Sequence, residues 1–393
     1  MSESLVSDSL VQRYKLTVEY VGNAYHGSQR QPKRRTVQEE LEAALAKLTH
    51  TAPPPTTFSG RTDAGVHAVG QVVHVDLARR SKHGEPLPPM EVPDLLNALN
   101  FFLPAGKCGV VSARTVPTTF DARRSAVVRT YVYRIRCGAT SPPPAAVTAG
   151  GDCGNELLRA DVASGVLRRR GWFSALEQQR ALCLAEPLDL ARMRAAAAVL
   201  LGKHDFSAFR SVRCGAASPV RELLELDVVD EAPGALEALQ RECPRRLSVR
   251  VRGRSFLHHQ VRYLVAALLE AGRANLDPPA VRHILETGDN KLAPPPAPAH
   301  GLYLAHVEYP PSAYEERPLA LGEAGDASDE GEGGGEGEGG SEAGEDGEAT
   351  DDEAAPTDDE SGGAGGAAVD AACQGVGGGA RAAQCTEVSC VGA

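Results

Sequence analysis

The chain has no CxxC pair, no glycine-rich phosphate loop between a strand and a helix, no long apolar run, and a single tryptophan. Each gap excludes something. The nine cysteines stand far apart at 108, 137, 153, 183, 214, 243, 373, 385 and 390. Their odd number and spacing argue for a reducing compartment, against a disulfide framework and against a zinc ribbon. No segment approaches the roughly 20 apolar residues that span a bilayer, so no membrane partner is expected. The stretch GEGGGEGEGG is glycine-rich but has no strand or helix around it, and no nucleotide cofactor is indicated. The opening residues MSESLVSDSLVQRYK lack an apolar signal core and carry acids that transit peptides avoid. Cytoplasm or nucleus is the expected compartment, with an organelle left open.

The formal charge of -11 conceals two unlike parts. Residues 321–393 hold 19 acids against one base, Arg381, whereas the rest of the chain holds 40 bases against 33 acids. A mildly basic body suits a polyanionic partner, although an ordinary solvated surface has the same composition. The stretch EAGDASDEGEGGGEGEGGSEAGEDGE has almost no aliphatic or aromatic side chains to offset the entropy of ordering. Residues 313–393 are therefore expected to form a disordered, acidic, glycine-rich tail.

In the body, YKLTVEY alternates and reads as a strand from Tyr14 to Tyr20. Thr36 and Glu39 form a capping box ahead of TVQEELEAALAKLT, whose Val37, Leu41, Leu45 and Leu48 share one helical face. A short strand to Gly60, a strand from Val69 to Asp76, a helix from Pro93 to Phe102 and strands at 109–115 and 127–135 follow. That order, β, α, β, β, α, β, points to an α+β fold: a split βαβ sandwich with an antiparallel sheet and helices on one face. Residues 138–180 show little periodicity and read as a surface insertion. Beyond them come a helix from Pro187 to Gly202, strands at 220–229 and 246–252, two helices in HHQVRYLVAALLEAG and DPPAVRHILETG, and a closing strand in HGLYLAHVEY. The second half repeats the first in outline, giving expected units of 1–105, 106–312 and the tail.

The stretch FSGRTDAGVHAVGQVVHVD places one acid, Asp63, in a tight loop between two strands. An aspartate beside glycines is commonly an Asx-turn or a cap. Here Arg61 and His67 crowd it, and Gly60, Ala64 and Gly65 keep the backbone open to a substrate. Nearby positive charge favours the carboxylate form that a nucleophile needs.

SGRTDAGVHA resembles the signature of TruA-type tRNA pseudouridine synthases, whose catalytic aspartate matches Asp63. Further blocks resemble the family in the same order: EYVGNAYHGSQRQ, FDARRSAVVRTYVYRI, LLGKHDFSAFR, SPVREL, FLHHQVR and APAHGLYLAHVEYP. Together they cover roughly residues 14–310 outside the insertion. The resemblance implies two ferredoxin-like halves joined in a continuous, mixed, mainly antiparallel sheet across a central basic cleft. It also implies isomerisation of uridine to pseudouridine in tRNA, in or near the anticodon arm, with no metal or organic cofactor and with homodimers among relatives. Asp63 would act as the nucleophile or as the base of a glycal route. Arg262 would pair with it, Tyr131 would stack on the base and remove the C5 proton, and Leu302 would pack on the ring. Arg61 would fill the gap left by the flipped nucleotide. His67, Arg123 and Arg210 are further candidates for RNA contact, as are Arg124, Arg129 and Lys203. Ser28 departs from the family, which usually has tryptophan there.

Two other readings compete. A catalytically silent RNA-binding or tRNA-chaperone module would keep the fold, but it would be free to lose Asp63, Tyr131 or Arg262, and all three are present. A metal-dependent hydrolase would need converging ligands. His258 and His259 with His67 and His74 suggest such a set, but adjacent histidines on a helix diverge by about 100°, and a core or RNA-facing role is expected for them instead.

Overall fold

In the computed structural model, which describes residues 11–138, 177, 179–232 and 245–315, the alternating stretch becomes strand β1 (Gln12–Tyr20). Its Tyr14, Leu16, Val18 and Tyr20 are all buried, the period-two pattern of a strand with one face in the core. Helix α1 (Val37–Thr49) starts where its sequence signal places it, with Thr36 Oγ1 accepting from the Glu39 amide at 3.3 Å. Val37, Leu41 and Leu45 form its buried stripe. The chain continues through β2 (Thr56–Phe58), β3 (His67–Leu77), a small hairpin of β4 (Arg79–Arg80) and β5 (Pro86–Leu87), helix α2 (Val92–Phe102) and β6 (Cys108–Thr115). Next come β7 (Val128–Cys137), β8 (Leu182–Cys183), α3 (Leu190–Leu200), β9 (Gly202–Asp205), β10 (Val220–Glu231), β11 (Arg245–Gly253), α4 (Gln260–Gly272), α5 (Pro278–Thr287) and β12 (Leu302–Glu308).

One ten-stranded sheet runs in the order β6-β1-β3-β12-β7-β11-β10-β9, with β2 beside β3 and β8 beside β7. All pairings in it are antiparallel except β12 with β3 and β7 with β8. The runs β6-β1-β3-β2 and β12-β7-β11-β10 share one topology: fourth, first, third and second strand of a βαββαβ unit. The repeat anticipated in outline is thus present in the strand order.

The seam between the two runs positions the site. β12 joins the N-terminal end of β3, Tyr303 opposite His67 and Leu304 opposite Ala68, while β2 takes the other end of the same edge, Thr56–Phe58 opposite Val73–Val75. Between them the chain leaves β2, makes the loop of residues 59–66 and re-enters β3. Gly70 permits the close approach at the seam, since a Cβ there would lie 2.2 Å from the Ala305 carbonyl oxygen. Helix α4 is buried nearly all round, through Val261, Leu264, Val265, Leu268 and Leu269.

Several boundaries move. The helix expected from Pro187 begins at Leu190, capped by Asp189, and the one expected from His258 begins at Gln260. The expected insertion lies almost wholly outside the described residues, as does the tail beyond Glu315. Where description resumes, Glu177 pairs with Arg134 at 3.0 Å and with the buried Arg136 at 2.8 Å. Among the described residues no helix is long and apolar enough to cross a membrane.

Candidate active site

The Asp63 loop is held from three sides. Ser28 and Thr62 exchange bonds, the Ser28 amide donating to the Thr62 carbonyl at 3.1 Å and the Thr62 amide to Ser28 Oγ at 2.9 Å. The Thr62 and Tyr20 hydroxyls meet at 2.8 Å. Gln71, fully buried, accepts from Ser59 Oγ at 2.7 Å and donates to the Gly60 carbonyl at 2.9 Å. Gly22 lies so close beneath that a Cβ there would stand 2.0 Å from the Val66 carbonyl oxygen. A loop so braced fixes Asp63 without using its carboxylate.

That carboxylate, about one-fifth exposed, faces three cationic or potentially cationic groups. Arg262 NH1 is 3.6 Å from Oδ2, His259 Nε2 is 3.5 Å from Oδ2, and His258 Nε2 is 3.6 Å from Oδ1. Arg262 is fixed from behind, its Nε donating to the Ala297 carbonyl at 2.7 Å. These groups come from the turn ahead of α4 and from its first turn, so the two topological units each supply one side of the site.

His258 and His259 overturn the argument that adjacent histidines must diverge. They precede α4, and His259 takes the left-handed conformation at φ 62° and ψ 3°. The two rings lie side by side at 3.9 Å. A non-glycine residue in this region costs of order 1 kcal/mol and marks a backbone arranged for its side chain.

Tyr131, on β7, is buried and packs edge-on against Phe256 at 5.1 Å. Burial pushes its hydroxyl up to about 12, with Asp63 adding in the same direction. Arg129, two residues earlier, was considered for phosphate contact, but it grips backbone. Its guanidinium donates to the Ser59 carbonyl at 3.1 and 2.7 Å, to Arg254 at 2.6 Å and to Arg123 at 3.1 Å. One side chain therefore ties the base of the Asp63 loop to the segment entering the histidine turn.

The other candidates divide. Arg61, Arg123, Arg124 and Lys203 are exposed, and Arg210 is half-buried with NH1 donating to the Ala216 carbonyl at 3.4 Å. Leu302 is buried at the start of β12 opposite Tyr133. His67 is buried and structurally engaged: Nδ1 accepts from the Gly22 amide at 3.1 Å, Nε2 meets the Gln179 carbonyl at 2.9 Å, and the ring stacks on Tyr303 at 4.7 Å.

A family model described as tRNA pseudouridine synthase matches residues 16–118 and 196–310. The chain belongs to that family. It is 39% identical over 305 residues to tRNA pseudouridine synthase A of Beijerinckia indica, covering 77% of this chain and 96% of that one. The enzyme of the same name from Methylobacterium nodulans is 40% identical over 301 residues, 77% and 97% of the two chains, and that of Agrobacterium fabrum 40% over 300, 76% and 92%. The family match omits residues 119–195, which include the expected insertion. Within this pseudouridine synthase family member, sequence reasoning sets His258 and His259 aside on the wrong geometry and misses Gln71 and the clamping role of Arg129. The pair of histidines three and four residues ahead of Arg262 was the available signal. For Arg129 there was none, because the two acceptors it clamps together, Ser59 and Arg254, lie 70 and 125 residues away.

Proposed function

We propose that the chain isomerises uridine to pseudouridine in tRNA, with Asp63 as the reacting acid. The observation that carries this reading is the carboxylate at the seam, braced from below and faced by Arg262 at 3.6 Å, in a chain of this family. The reaction breaks N1–C1′, turns the detached uracil and joins C5 to C1′. N1 gains a proton and C5 gives one up, so no redox partner is needed. Asp63 serves either as nucleophile at C1′ or as base for the glycal route, and Arg262 stabilises the carboxylate in both. Tyr131, with its hydroxyl raised to about 12, meets the base at neutral pH as a neutral phenol. It is suited to stacking and donation, and takes the C5 proton only by passing its own onward.

Reaching Asp63 requires the uridine to leave its stack, at a cost of about a few kcal/mol. Arg61, exposed two residues before Asp63, would enter the gap, and Arg123, Arg124, Arg210 and Lys203 would meet phosphates. We place the target in or near the anticodon arm and the working assembly as a homodimer, both on the strength of the resemblance. The test is incubation with a pool of unmodified tRNA, followed by base-resolved mapping of pseudouridine, with Asp63→Asn in parallel. Product from the intact chain alone supports the reading. RNA binding without product from either protein would favour a silent RNA-binding module.

A further inference from the structure

One cation is enough to pair with a carboxylate, yet Asp63 is given a guanidinium and two imidazoles. We propose that Asp63, His258 and His259 form a binding site for a borderline-soft divalent ion, zinc foremost, whose occupancy blocks the reacting carboxylate. Binding is independent of the functional reading above. Only the inhibitory consequence rests on it.

Three observations carry the proposal. First, one ligand atom from each of the three side chains lies within 4.8 Å of the others. Second, the separations suit zinc. Bonds of about 2.0–2.2 Å in a tetrahedron put neighbouring ligand atoms about 3.4 Å apart; His258 Nε2 stands 3.6 Å from Oδ1 and His259 Nε2 3.5 Å from Oδ2, one imidazole to each carboxylate oxygen. Third, the histidines are aimed at the acid by a left-handed residue at 259, where a helix start two residues earlier would have turned them apart. The Ser211 amide donates to the His258 carbonyl at 2.9 Å, and Gln260 Oε1 accepts from the Leu257 amide at 2.8 Å, so the turn is held in that shape.

Two neutral imidazoles and a carboxylate are the donor set of many three-ligand zinc sites, with a fourth position left to solvent. Calcium and magnesium, which prefer six or more oxygen ligands, are poorly served. All three side chains retain some exposure, so an ion has a path in. Arg262 works against the ion, because its charge stands 3.6 Å from Oδ2 and repels a dication. It weakens the site, and this supplies a signature that a merely structural histidine pair would not produce. An ion so held would occupy the face of Asp63 that a ribose must approach, and zinc and tRNA would exclude one another.

The test uses the full chain and cobalt(II), whose visible absorption is intense in four-coordinate geometry. The expected result is one equivalent bound and displaced by zinc. Affinity should fall at least about 100-fold in the His258→Ala, His259→Ala double variant. Asp63→Asn should weaken binding, and Arg262→Gln should tighten it. Each variant is checked by circular dichroism, and His258→Gln and His259→Gln replace the alanines if the double variant does not fold. In the activity arm, zinc should lower pseudouridine formation competitively with tRNA, by about tenfold at ten times its dissociation constant, and a chelator should restore it. Unchanged cobalt absorption in the double variant, or thiolate charge-transfer bands in place of the expected spectrum, would overturn the site. Cobalt binding as described without inhibition would overturn the blocking role. Cobalt binding as described in a chain that makes no pseudouridine would leave the site standing and remove the functional reading instead.

Discussion

Arg129 offers a sharp test of how the site is assembled, because one side chain spans both loops that face each other. Replacing it with methionine removes donors from three carbonyls, those of Ser59, Arg123 and Arg254. Arg123 and Arg254 are exposed and water takes over there, but Ser59 is fully buried and its carbonyl oxygen loses both guanidinium donors. Loss of a charge-assisted bond at one buried acceptor costs about 2–3 kcal/mol. For a folded body of this size that lowers Tm by roughly 4–12 °C. The kinetic effect should be larger. Ser59 is four residues from Asp63 and Arg254 four from His258, and a misplacement of about 1 Å costs on the order of 100-fold in rate. Urea unfolding and single-turnover pseudouridine formation well below Tm would read the two effects separately. Arg129→Lys is the informative control, since a compact ammonium cannot reach three separated carbonyls. It should recover part of the stability and little of the rate. Full activity in the lysine variant, or a destabilised methionine variant with an unchanged rate constant, would refute the clamp.

Two further outcomes follow from buried groups. Burial lowers the pKa of His67 and of His74 from 6.5, with Arg13 adding to the shift at His74. In both, Nδ1 accepts a backbone amide, from Gly22 at 3.1 Å and Ala122 at 2.9 Å, so protonation would end the bond. Below pH 6.5 the unfolded chain binds protons that the native chain resists. Stability should therefore fall as pH drops through that value, by up to about 1.4 kcal/mol per pH unit for each histidine. Urea midpoints measured across that range should show the slope, and His74→Asn should reduce it; an unaltered slope would reject the assignment for His74. Gly22→Ala should displace the Asp63 loop, because the new Cβ would lie 2.0 Å from the Val66 carbonyl oxygen. Lost activity with retained helix content by circular dichroism is the expected result, and wild-type activity would show that the loop shifts freely.

What the sequence made legible is what local chemistry determines. Thr36 and Glu39 announced α1 because a cap is a contact between near neighbours, and YKLTVEY announced β1 because strand alternation needs no partner to be seen. Asp63 was legible through a contiguous block in which nearly every residue has a task in the loop: Ser59 and Gly60 bond to Gln71, Thr62 to Ser28 and Tyr20, and His67 to Gly22. The seam of β12 on β3 was not legible, because strands more than 220 residues apart leave no periodic trace in each other. The histidine pair was misread for a local reason. HHQVRYLV carries a helical pattern through to His258, and nothing in composition shows that His259 adopts the left-handed conformation and starts α4 one residue later. Ser28 shows the reverse. It departs from the tryptophan usual in the family, and the structure gives the serine a buried task, holding Thr62 beside Asp63.

The account stands or falls on Asp63 driving loss of the hydrogen at uridine C5. The direct measurement is tritium release to water from tRNA transcribed with 5-tritiated uridine, comparing the intact chain with Asp63→Asn and Asp63→Glu. Stoichiometric release from a defined uridine by the intact chain, and none above background from Asp63→Asn at equal RNA binding, is the predicted result. Release by Asp63→Asn at the wild-type rate, or none from the intact chain while it binds the same tRNA, would contradict it.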